Sequence, residues 1–317
     1  MVKRHRLSRR VRSKKHWRTR RRRGGGEKKC LFINWGKGLG LGNQLFIYAA
    51  ATIMKNKLKN WDLCIPPAEK NFHSPTDYRF LFKQGVPVER TEDIRKRIEN
   101  ATVIHKAKEI RHSEWSDVNL ALNSGDALDD PRKNLRMKTN ESPEDEFYHN
   151  YKGIEPAIDT IRAELQEELD KRYGNGSPIK DPATAAFFHI RYGDYKKLNL
   201  IGSIHYYRKA RELLEKQSKI KAIYMISDTD GLIWAAKEGL LDDSTTPIHP
   251  IGEPDELKVL YIMSQCKAGA CISSSTFSIW GAILGPGPNP DSTIMYPSRW
   301  VSTDVKNLSL PKRWIQI

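Results

Sequence analysis

Apolar and polar positions follow two different periods along this chain. Short apolar runs bounded by Gly, Pro or polar residues are typical of buried strands, and they predict strands at 30–35, 62–67, 183–190, 221–227, 268–273 and 291–297. Longer segments with a helical period predict helices at 43–57, 90–100, 154–172, 206–217, 231–239, 254–266 and 276–284. Strands that alternate with helices in this way predict an α/β fold in which helices cover both faces of a parallel sheet.

The helix predicted at 154–172 separates two halves of the chain. Its apolar stripe consists of Ile154, Ile158, Ile161, Leu165 and Leu169, with Glu155-Pro156 in a predicted first turn. The segment 174–182 is rich in Gly and Pro and is predicted to be an interdomain linker. We therefore predict a basic tail and Gly linker at 1–26, an α/β domain at 27–175 and a second α/β domain at 176–317. Outside the helix at 90–100, residues 66–150 have no sustained period and are predicted to form short helices and long loops.

The positive charge of the chain is concentrated at its N-terminus. The 317 residues carry a net charge of +16, and residues 1–23 hold 13 of the 54 Lys and Arg residues without any acidic residue. The remaining residues include 41 basic and 38 acidic side chains. A segment so basic and so poor in apolar residues is predicted to be disordered. It is either a solvated extension, a nuclear targeting signal, or a contact for nucleic acid or an acidic membrane surface.

The composition predicts a soluble protein. The chain is 38% hydrophobic and 29% charged, and no run approaches the roughly 18 apolar residues that a membrane span needs. No apolar segment follows the basic start, as it would in a secretory signal, so we expect a cytoplasmic protein. The four cysteines form no C-x-x-C pair and have no His cluster beside them, so we predict buried reduced thiols rather than disulfides or a zinc site at Cys30, Cys64, Cys266 and Cys271.

The segment before the helix predicted at 43–57 has a glycine at every second position, namely Gly36, Gly38, Gly40 and Gly42. The dinucleotide fingerprint G-x-G-x-x-G would require Gly at 41 or 43, where the chain has Leu41 and Asn43. No G-K-[ST] follows either, so a Walker loop is excluded. A sharp strand-to-helix turn remains, in which Asn43 is suited to the N-cap and Gly42 permits a close approach of the backbone.

The strand predicted at 183–190 runs into H-I-R-Y-G-D-Y at 189–195. Ligands of open α/β sheets bind at the carboxyl ends of strands, and His189 and Arg191 lie on the same side of an extended chain. The planar guanidinium of Arg191 matches two phosphate oxygens. Gly193 permits a turn there. Asp194 is either an acceptor for backbone N–H groups in that turn or a structural partner of the arginine.

The next strand, predicted at 221–227, ends in I-S-D-T-D at 226–230. Asp228 and Asp230 form a D-x-D pattern, and carboxylate oxygens are the ligands that Mg²⁺ and Mn²⁺ prefer. Asp228 is equally suited to accept hydrogen bonds from N1–H and N2–H₂ of a guanine. A third interpretation is that either aspartate caps the following helix.

The strand predicted at 268–273 ends in four consecutive hydroxyl residues, Ser273 to Thr276, where the helix at 276–284 begins. Free N–H groups and hydroxyls at a helix N-terminus form an anion site, and ordinary capping would need fewer hydroxyls. The carboxyl ends of parallel strands meet at one edge of a sheet. The arginine, the aspartate and the hydroxyls together therefore predict a nucleotide-diphosphate pocket at that edge.

Four segments, in order along the chain, resemble the inverting α-1,2-fucosyltransferases of glycosyltransferase family eleven. They are G-L-G-N-Q-L-F-I-Y-A at 40–49, H-I-R-Y-G-D-Y at 189–195, I-S-D-T-D at 226–230 and S-S-S-T-F-S-I-W-G-A-I-L at 273–284. The resemblance implies a GT-B fold, in which two Rossmann-like domains face a cleft. It also implies transfer of L-fucose from GDP-fucose to a hydroxyl of an acceptor glycan, α-1,2 to galactose, without a metal or other cofactor.

The resemblance further implies roles for individual residues. The implied donor-binding residues are His189, Arg191, Asp228, Ser275, Thr276 and Phe277, and the implied acceptor-side cleft residues are Gly42, Asn43 and Gln44. Arg191 would hold the β-phosphate and stabilise the leaving group, and His189 and Asp228 would lie near the guanine and ribose. The glycines before residue 43 would let the first turn approach the sugar donor.

The chain departs from the family pattern at three positions that concern the donor site. Tyr192 replaces the second Arg of H-x-R-R-G-D, Ser274 replaces an Asn, and Ile279 replaces the first Trp. The Tyr at position 192 leaves two alternatives open, a different donor or a non-catalytic relative that binds a sugar nucleotide or a glycan.

The sequence does not identify a general base, for which His73 and Asp77 are only candidates. A metal-dependent enzyme that uses Asp228 and Asp230 is a further alternative. So is a nucleic-acid-binding protein that acts through the basic tail.

Overall fold

The structure is a computed structural model that describes residues 29–33, 35, 39–58, 60–68, 76–104, 134–137, 151–242, 244–300 and 308–317. The basic tail, Gly36, Gly38 and the candidate base His73 lie outside these residues. Within them, no helix has both the length and the apolar character to cross a membrane.

The first half of the chain forms a five-stranded sheet in which every pairing is parallel. Its strands are β1 (Lys29–Ile33), β2 (Trp61–Ile65), β3 (Val86–Pro87), β4 (Thr102–Ile104) and β5 (Leu135–Met137), in the order β3-β2-β1-β5-β4. The helices among its described residues are α1 (Leu41–Lys57) and α2 (Glu92–Glu99), with a 3₁₀ turn at Arg79–Leu81. The helix predicted at 90–100 is thereby confirmed as α2.

The second half forms a six-stranded sheet, also with every pairing parallel. Its strands are β6 (Ala185–His189), β7 (Ala222–Ile226), β8 (Ile248–Ile251), β9 (Gly269–Cys271), β10 (Thr293–Tyr296) and β11 (Ile315–Gln316), in the order β11-β10-β9-β6-β7-β8. Counted from β6, this is the 3-2-1-4-5-6 order of Rossmann folds, whose ligands bind where the order reverses. Here that switch point lies between β6 and β9.

The helices of the second half lie between its strands along the chain. They are α4 (Gly193–Lys197), α5 (Ile204–Glu215), α6 (Thr229–Lys237), α7 (Glu256–Gln265) and α8 (Thr276–Leu284). Two parallel sheets with alternating helices confirm the predicted α/β fold with two Rossmann-like units, the arrangement of the GT-B fold. The strand predicted at 291–297 is not the last one, because Ile315 pairs with Met295 to add β11 at the edge.

Helix α3 (Tyr151–Tyr173) connects the two sheets. It begins before the predicted start, so Pro156 lies inside the helix rather than in its first turn. The helix packs against α1 of the first half and α7 of the second, and α1 also packs against α8. One hydrophobic cluster therefore includes Leu31 of β1 and Ile294 of β10. The boundary at residue 175 stays a prediction.

Cys30 and Cys64 form a disulfide, so the prediction of a reduced thiol is wrong for this pair. The two residues lie on the neighbouring strands β1 and β2, where Cys64 is opposite Phe32. Their Cα atoms are 5.6 Å apart, a separation that a disulfide spans. Cys266 and Cys271 are buried free thiols, as predicted.

Candidate active site

A cleft of about 940 Å³ opens at the carboxyl ends of β6 and β7. The first half contributes Thr76 and Tyr78, the end of α3 contributes Arg172 and Tyr173, and the second half contributes the remaining wall. The cleft therefore lies between the two halves, as the GT-B resemblance implies. The sequence-predicted residues that line it are His189, Arg191, Gly193, Asp194, Asp228, Asp230 and Phe277.

His189 is the last residue of β6 and is only 5% exposed. Its Nδ1 lies 3.1 Å from Ser278 Oγ and 3.1 Å from Ser273 Oγ, so it connects β6 to α8 and to the loop after β9 across the switch point. Burial, with a smaller contribution from the positive charge of Arg191, lowers the pKa of His189 to about 3. The imidazole is neutral at physiological pH. It is suited to ligand recognition and not to proton transfer.

Arg191 lies two residues after His189 and is held by Asp194. Its Nε donates to Oδ1 at 2.9 Å and its Nη2 donates to Oδ2 at 3.1 Å. This bidentate pair fixes the plane of the guanidinium and leaves Nη1 available for a ligand. The interpretation of Asp194 as a partner of the arginine is therefore the one that the structure supports.

Asp228 uses both carboxylate oxygens on backbone amides. Oδ1 accepts the N–H of Gly231 at 2.8 Å and caps α6, and Oδ2 accepts the N–H of Gly193 at 2.8 Å. Of the three interpretations of this residue, helix capping is the one observed, and the second bond also fixes the turn that carries Arg191. Among the described residues, no group of three His, Cys, Asp or Glu side chains is placed to hold a metal ion.

Three implied donor-binding residues at the start of α8 have different roles, and of these only Phe277 lines the cleft. Ser275 occupies the N-cap of α8 but makes no side-chain cap, so its hydroxyl does not satisfy the first-turn amides. Thr276 Oγ1 donates to Asn43 Oδ1 at 2.6 Å. Phe277 lines the cleft, with its ring centroid 6.1 Å from that of His189.

The three residues implied to line the acceptor side lie outside the lining of this cleft. Asn43 does not cap α1, whose N-cap is Gly40, because its side chain instead contacts Thr276. Gln44 is 1% exposed, and its Nε2 donates to the carbonyl of Leu39 at 3.1 Å. These two side chains stabilise the turn and its contact with α8.

The turn at the start of α1 needs glycine at position 42 because it lies against Thr276. A Cβ at this position would lie 2.7 Å from both the carbonyl carbon and Oγ1 of Thr276, which is closer than van der Waals contact. The close approach therefore joins the start of α1 to the start of α8. This contact brings the two halves together directly beside the cleft.

The departures from the family pattern lie mostly in the core. Tyr192 is 7% exposed and packs its ring 5.7 Å from that of Trp234, away from the cleft. Ile279 is fully buried in α8. Ser274 donates to the carbonyl of Arg299 at 3.0 Å and lines a separate pocket of about 480 Å³.

Two hydrogen-bonded pairs of a tyrosine and an acidic residue in the cleft wall were not identified from the sequence. Tyr78 donates a hydrogen bond to Glu256 Oε1, and Tyr173 donates to Asp255 Oδ2 at 2.7 Å. An acidic pair at the start of a helix is the usual signal for capping, so it does not distinguish a functional residue. The candidate base Asp77 is held by Arg79 at 2.7 Å.

Comparison with known protein families matches the sequence of this chain to a family of glycosyltransferases. The model of Glycosyl transferase family 11 matches residues 39–304. The O-antigen biosynthesis glycosyltransferase WbnK of Escherichia coli is 24% identical over 314 residues, which cover 88% of this chain and 98% of that protein.

Two solved structures have low overall similarity to this chain. POFUT1 in complex with GDP is 12% identical, with a TM-score of 0.42 over 85% of this chain and 98% of that chain. A family 9 glycosyl transferase from Veillonella parvula is 9% identical, with a TM-score of 0.46 over 92% of this chain and 85% of that chain. The fold assignment therefore depends on the strand order of this chain itself. Because the family match includes every described strand except β1 and β11 and all the described residues that line the cleft, the chain belongs to glycosyl transferase family 11 and is a glycosyltransferase.

Proposed function

We propose that this protein transfers L-fucose from GDP-fucose to a hydroxyl of an acceptor glycan, with inversion at C1 and an α-1,2 linkage to galactose. Membership of glycosyl transferase family 11 supports the proposal. The observation that carries it is the guanidinium of Arg191, which Asp194 holds in a fixed plane beside the switch point of the second sheet. A fixed planar cation at this point suits a nucleotide diphosphate.

In the proposed reaction, the bond between C1 of fucose and the β-phosphate oxygen breaks while the acceptor oxygen approaches from the opposite face. Negative charge develops on the β-phosphate, where Arg191 stabilises it more strongly in the transition state than in the ground state. Neutral His189 contributes hydrogen bonding at the buried end of the cleft. The acceptor enters from the wall formed by Thr76 and Tyr78.

The proposed reaction does not require a metal ion. Both oxygens of Asp228 already accept backbone N–H groups, which makes the D-x-D pattern a capped turn. Charge on the leaving group would instead be balanced by Arg191. Activity unchanged by EDTA supports this part of the proposal, whereas a requirement for Mn²⁺ or Mg²⁺ contradicts it.

The main test is the Arg191→Ala variant, assayed by transfer of fucose from GDP-fucose to a β-galactoside. We expect a loss of about a hundredfold or more in kcat, because a donor that acts on developing charge is worth roughly that factor. Arg208→Ala removes an arginine on α5 that contacts only the carbonyl of Glu238 in the described contacts, and it should retain activity. Substantial transfer by a folded Arg191→Ala protein would overturn the assigned role.

A parallel titration of GDP, UDP and ADP distinguishes the proposed donor from others. Tight binding of GDP alone, in the presence of EDTA, is expected. Preference for UDP or ADP would contradict the GDP-fucose assignment, and binding of GDP without any transfer would indicate a non-catalytic relative.

A further inference from the structure

Glu256 is a carboxyl group in the cleft wall that no donor-binding residue uses. It is the first residue of α7 and lies next to Tyr78, whose hydroxyl donates to its Oε1. Tyr78 is 2% exposed and belongs to the first half of the chain. The carboxyl group therefore has a defined position between the two halves, and among the described residues its Oε2 has no hydrogen-bond donor.

The other acidic residues of this wall have their oxygens occupied. Asp255 accepts the N–H groups of Leu257 and Lys258 and the hydroxyl of Tyr173. Glu253 is paired with Lys258 at 2.6 Å. Because Asp255 already caps α7, Glu256 is not needed for capping.

The surroundings of Glu256 favour a carboxylate that takes up a proton readily. It is half-buried, and burial raises its pKa to about 7. The groups that share this part of the cleft are Tyr78, Arg172 and Tyr173 on one side, and Glu253 and Asp255 on its own turn. A base with a pKa near the working pH is the most effective kind.

We propose that Glu256 is the general base of the transfer reaction, an inference that depends on the proposed fucosyl transfer. The acceptor O–H bond breaks and its proton moves to the Glu256 carboxylate. The electron pair of that oxygen forms the new bond to C1. The bond from C1 to the β-phosphate oxygen breaks, and its electron pair leaves with GDP. The protonated Glu256 then releases its proton to solvent.

The decisive comparison is the pH dependence of kcat/KM for the wild type and Glu256→Gln. In the wild type, kcat/KM should rise as pH increases through about 7, because the carboxylate must be ionised to accept the proton. Glu256→Gln should lose about a hundredfold or more in kcat, as expected for loss of a general base, and the rise with pH should disappear. GDP affinity should be unchanged within a few-fold, which also shows that the variant is folded.

Two further variants separate a chemical role from a structural one. Glu256→Ala should regain activity when formate is added, because a small carboxylate can occupy the vacated space and accept the proton. Glu253→Gln removes a neighbouring carboxylate that is paired with Lys258, and it should keep the wild-type pH profile. A structural role for Glu256 would show neither formate rescue nor a changed pH profile.

The outcomes distinguish this inference from the proposed function. If the wild type transfers no fucose from GDP-fucose, the proposed function fails. If the wild type is active and Glu256→Gln keeps both kcat and the rise with pH, only the assignment of Glu256 is overturned.

Discussion

Neighbouring groups fix the orientation or the charge of individual side chains in this cleft. Arg191 is restrained by Asp194, and the turn that carries both is restrained by Asp228 through the N–H of Gly193. His189 is kept neutral by burial. The cleft therefore contains the guanidinium of Arg191 in a fixed orientation and the neutral imidazole of His189. This arrangement suits a phosphate group that is linked to a heterocyclic base.

A substitution at Tyr192 tests whether the departure from the family pattern at this position affects donor binding. Because its ring is buried against Trp234, Tyr192→Arg would place a charge in an aromatic cluster rather than in the cleft. We expect a loss of about 2–4 kcal/mol in the free energy of unfolding, as is typical for an unpaired buried charge. We expect no gain in GDP affinity. Denaturant unfolding and a GDP titration measure the two quantities.

The matched control for this substitution is Tyr192→Phe, which keeps the ring and should remain close to the wild type in stability and GDP affinity. A Tyr192→Arg protein with wild-type stability and tighter GDP binding would show that position 192 reaches the diphosphate, in conflict with its burial.

At the scale of elements, the central feature is the contact between α1 and α8. The first turns of the two helices meet at Gly42 and Thr276, and further along the ring of Phe46 lies 5.6 Å from that of Trp280. This contact joins the two halves of the chain and fixes the first turn of α8, whose residue Phe277 lines the cleft. We therefore expect stability and donor binding to be coupled here.

We expect Gly42→Ala to weaken both properties. The added Cβ would lie 2.7 Å from the Thr276 carbonyl carbon, and backbone cannot yield as a flexible side chain can. Forced overpacking of this kind costs about 1–3 kcal/mol, and GDP affinity should fall together with stability. Thermal unfolding with and without GDP measures both effects.

Gly176→Ala is the matched control. The atom nearest to a Cβ added at this position is the carbonyl oxygen of Tyr173, at an ordinary contact distance of 3.7 Å. It should unfold within about 1 kcal/mol of the wild type. Equal behaviour of the two variants would contradict the close approach at Gly42.

The sequence predicts long elements better than short ones. The apolar run before His189 and the helix at 276–284 were recognisable because several consecutive residues share one period. The pairs Val86–Pro87 and Ile315–Gln316 are too short to show a period, and they become strands only because a neighbouring strand pairs with them. Tertiary contacts, rather than local propensity, specify these elements.

At the scale of the whole molecule, the sequence located one side of the cleft and missed the other. His189, Arg191 and Asp228 were identified because strand order brings strand ends to one edge. Glu256 was not, because it meets Tyr78 only when the two halves pack together. The pairing of Cys30 with Cys64 likewise depends on the alignment of two strands, which spacing along the chain does not specify.

The disulfide between Cys30 and Cys64 contributes to the stability of the whole fold. It closes a separation of 34 residues and connects β1 to β2. On a chain-entropy model, a loop of this length stabilises the folded state by about 3–4 kcal/mol. Reducing agent should therefore lower the denaturation midpoint of the wild type by a corresponding amount. Cys64→Ser should show the lower midpoint from the start and be insensitive to reducing agent.

The disulfide also bears on the compartment in which the protein works. Disulfides persist in oxidising compartments and are reduced in the cytoplasm, whereas the sequence led us to expect a cytoplasmic protein. Peptide mapping of protein taken directly from its source under thiol-blocking conditions distinguishes an oxidising compartment from the cytoplasm. Cys30 and Cys64 recovered as a linked pair would contradict the cytoplasmic prediction. Both thiols blocked individually would support it and would indicate that the bond is not part of the working enzyme.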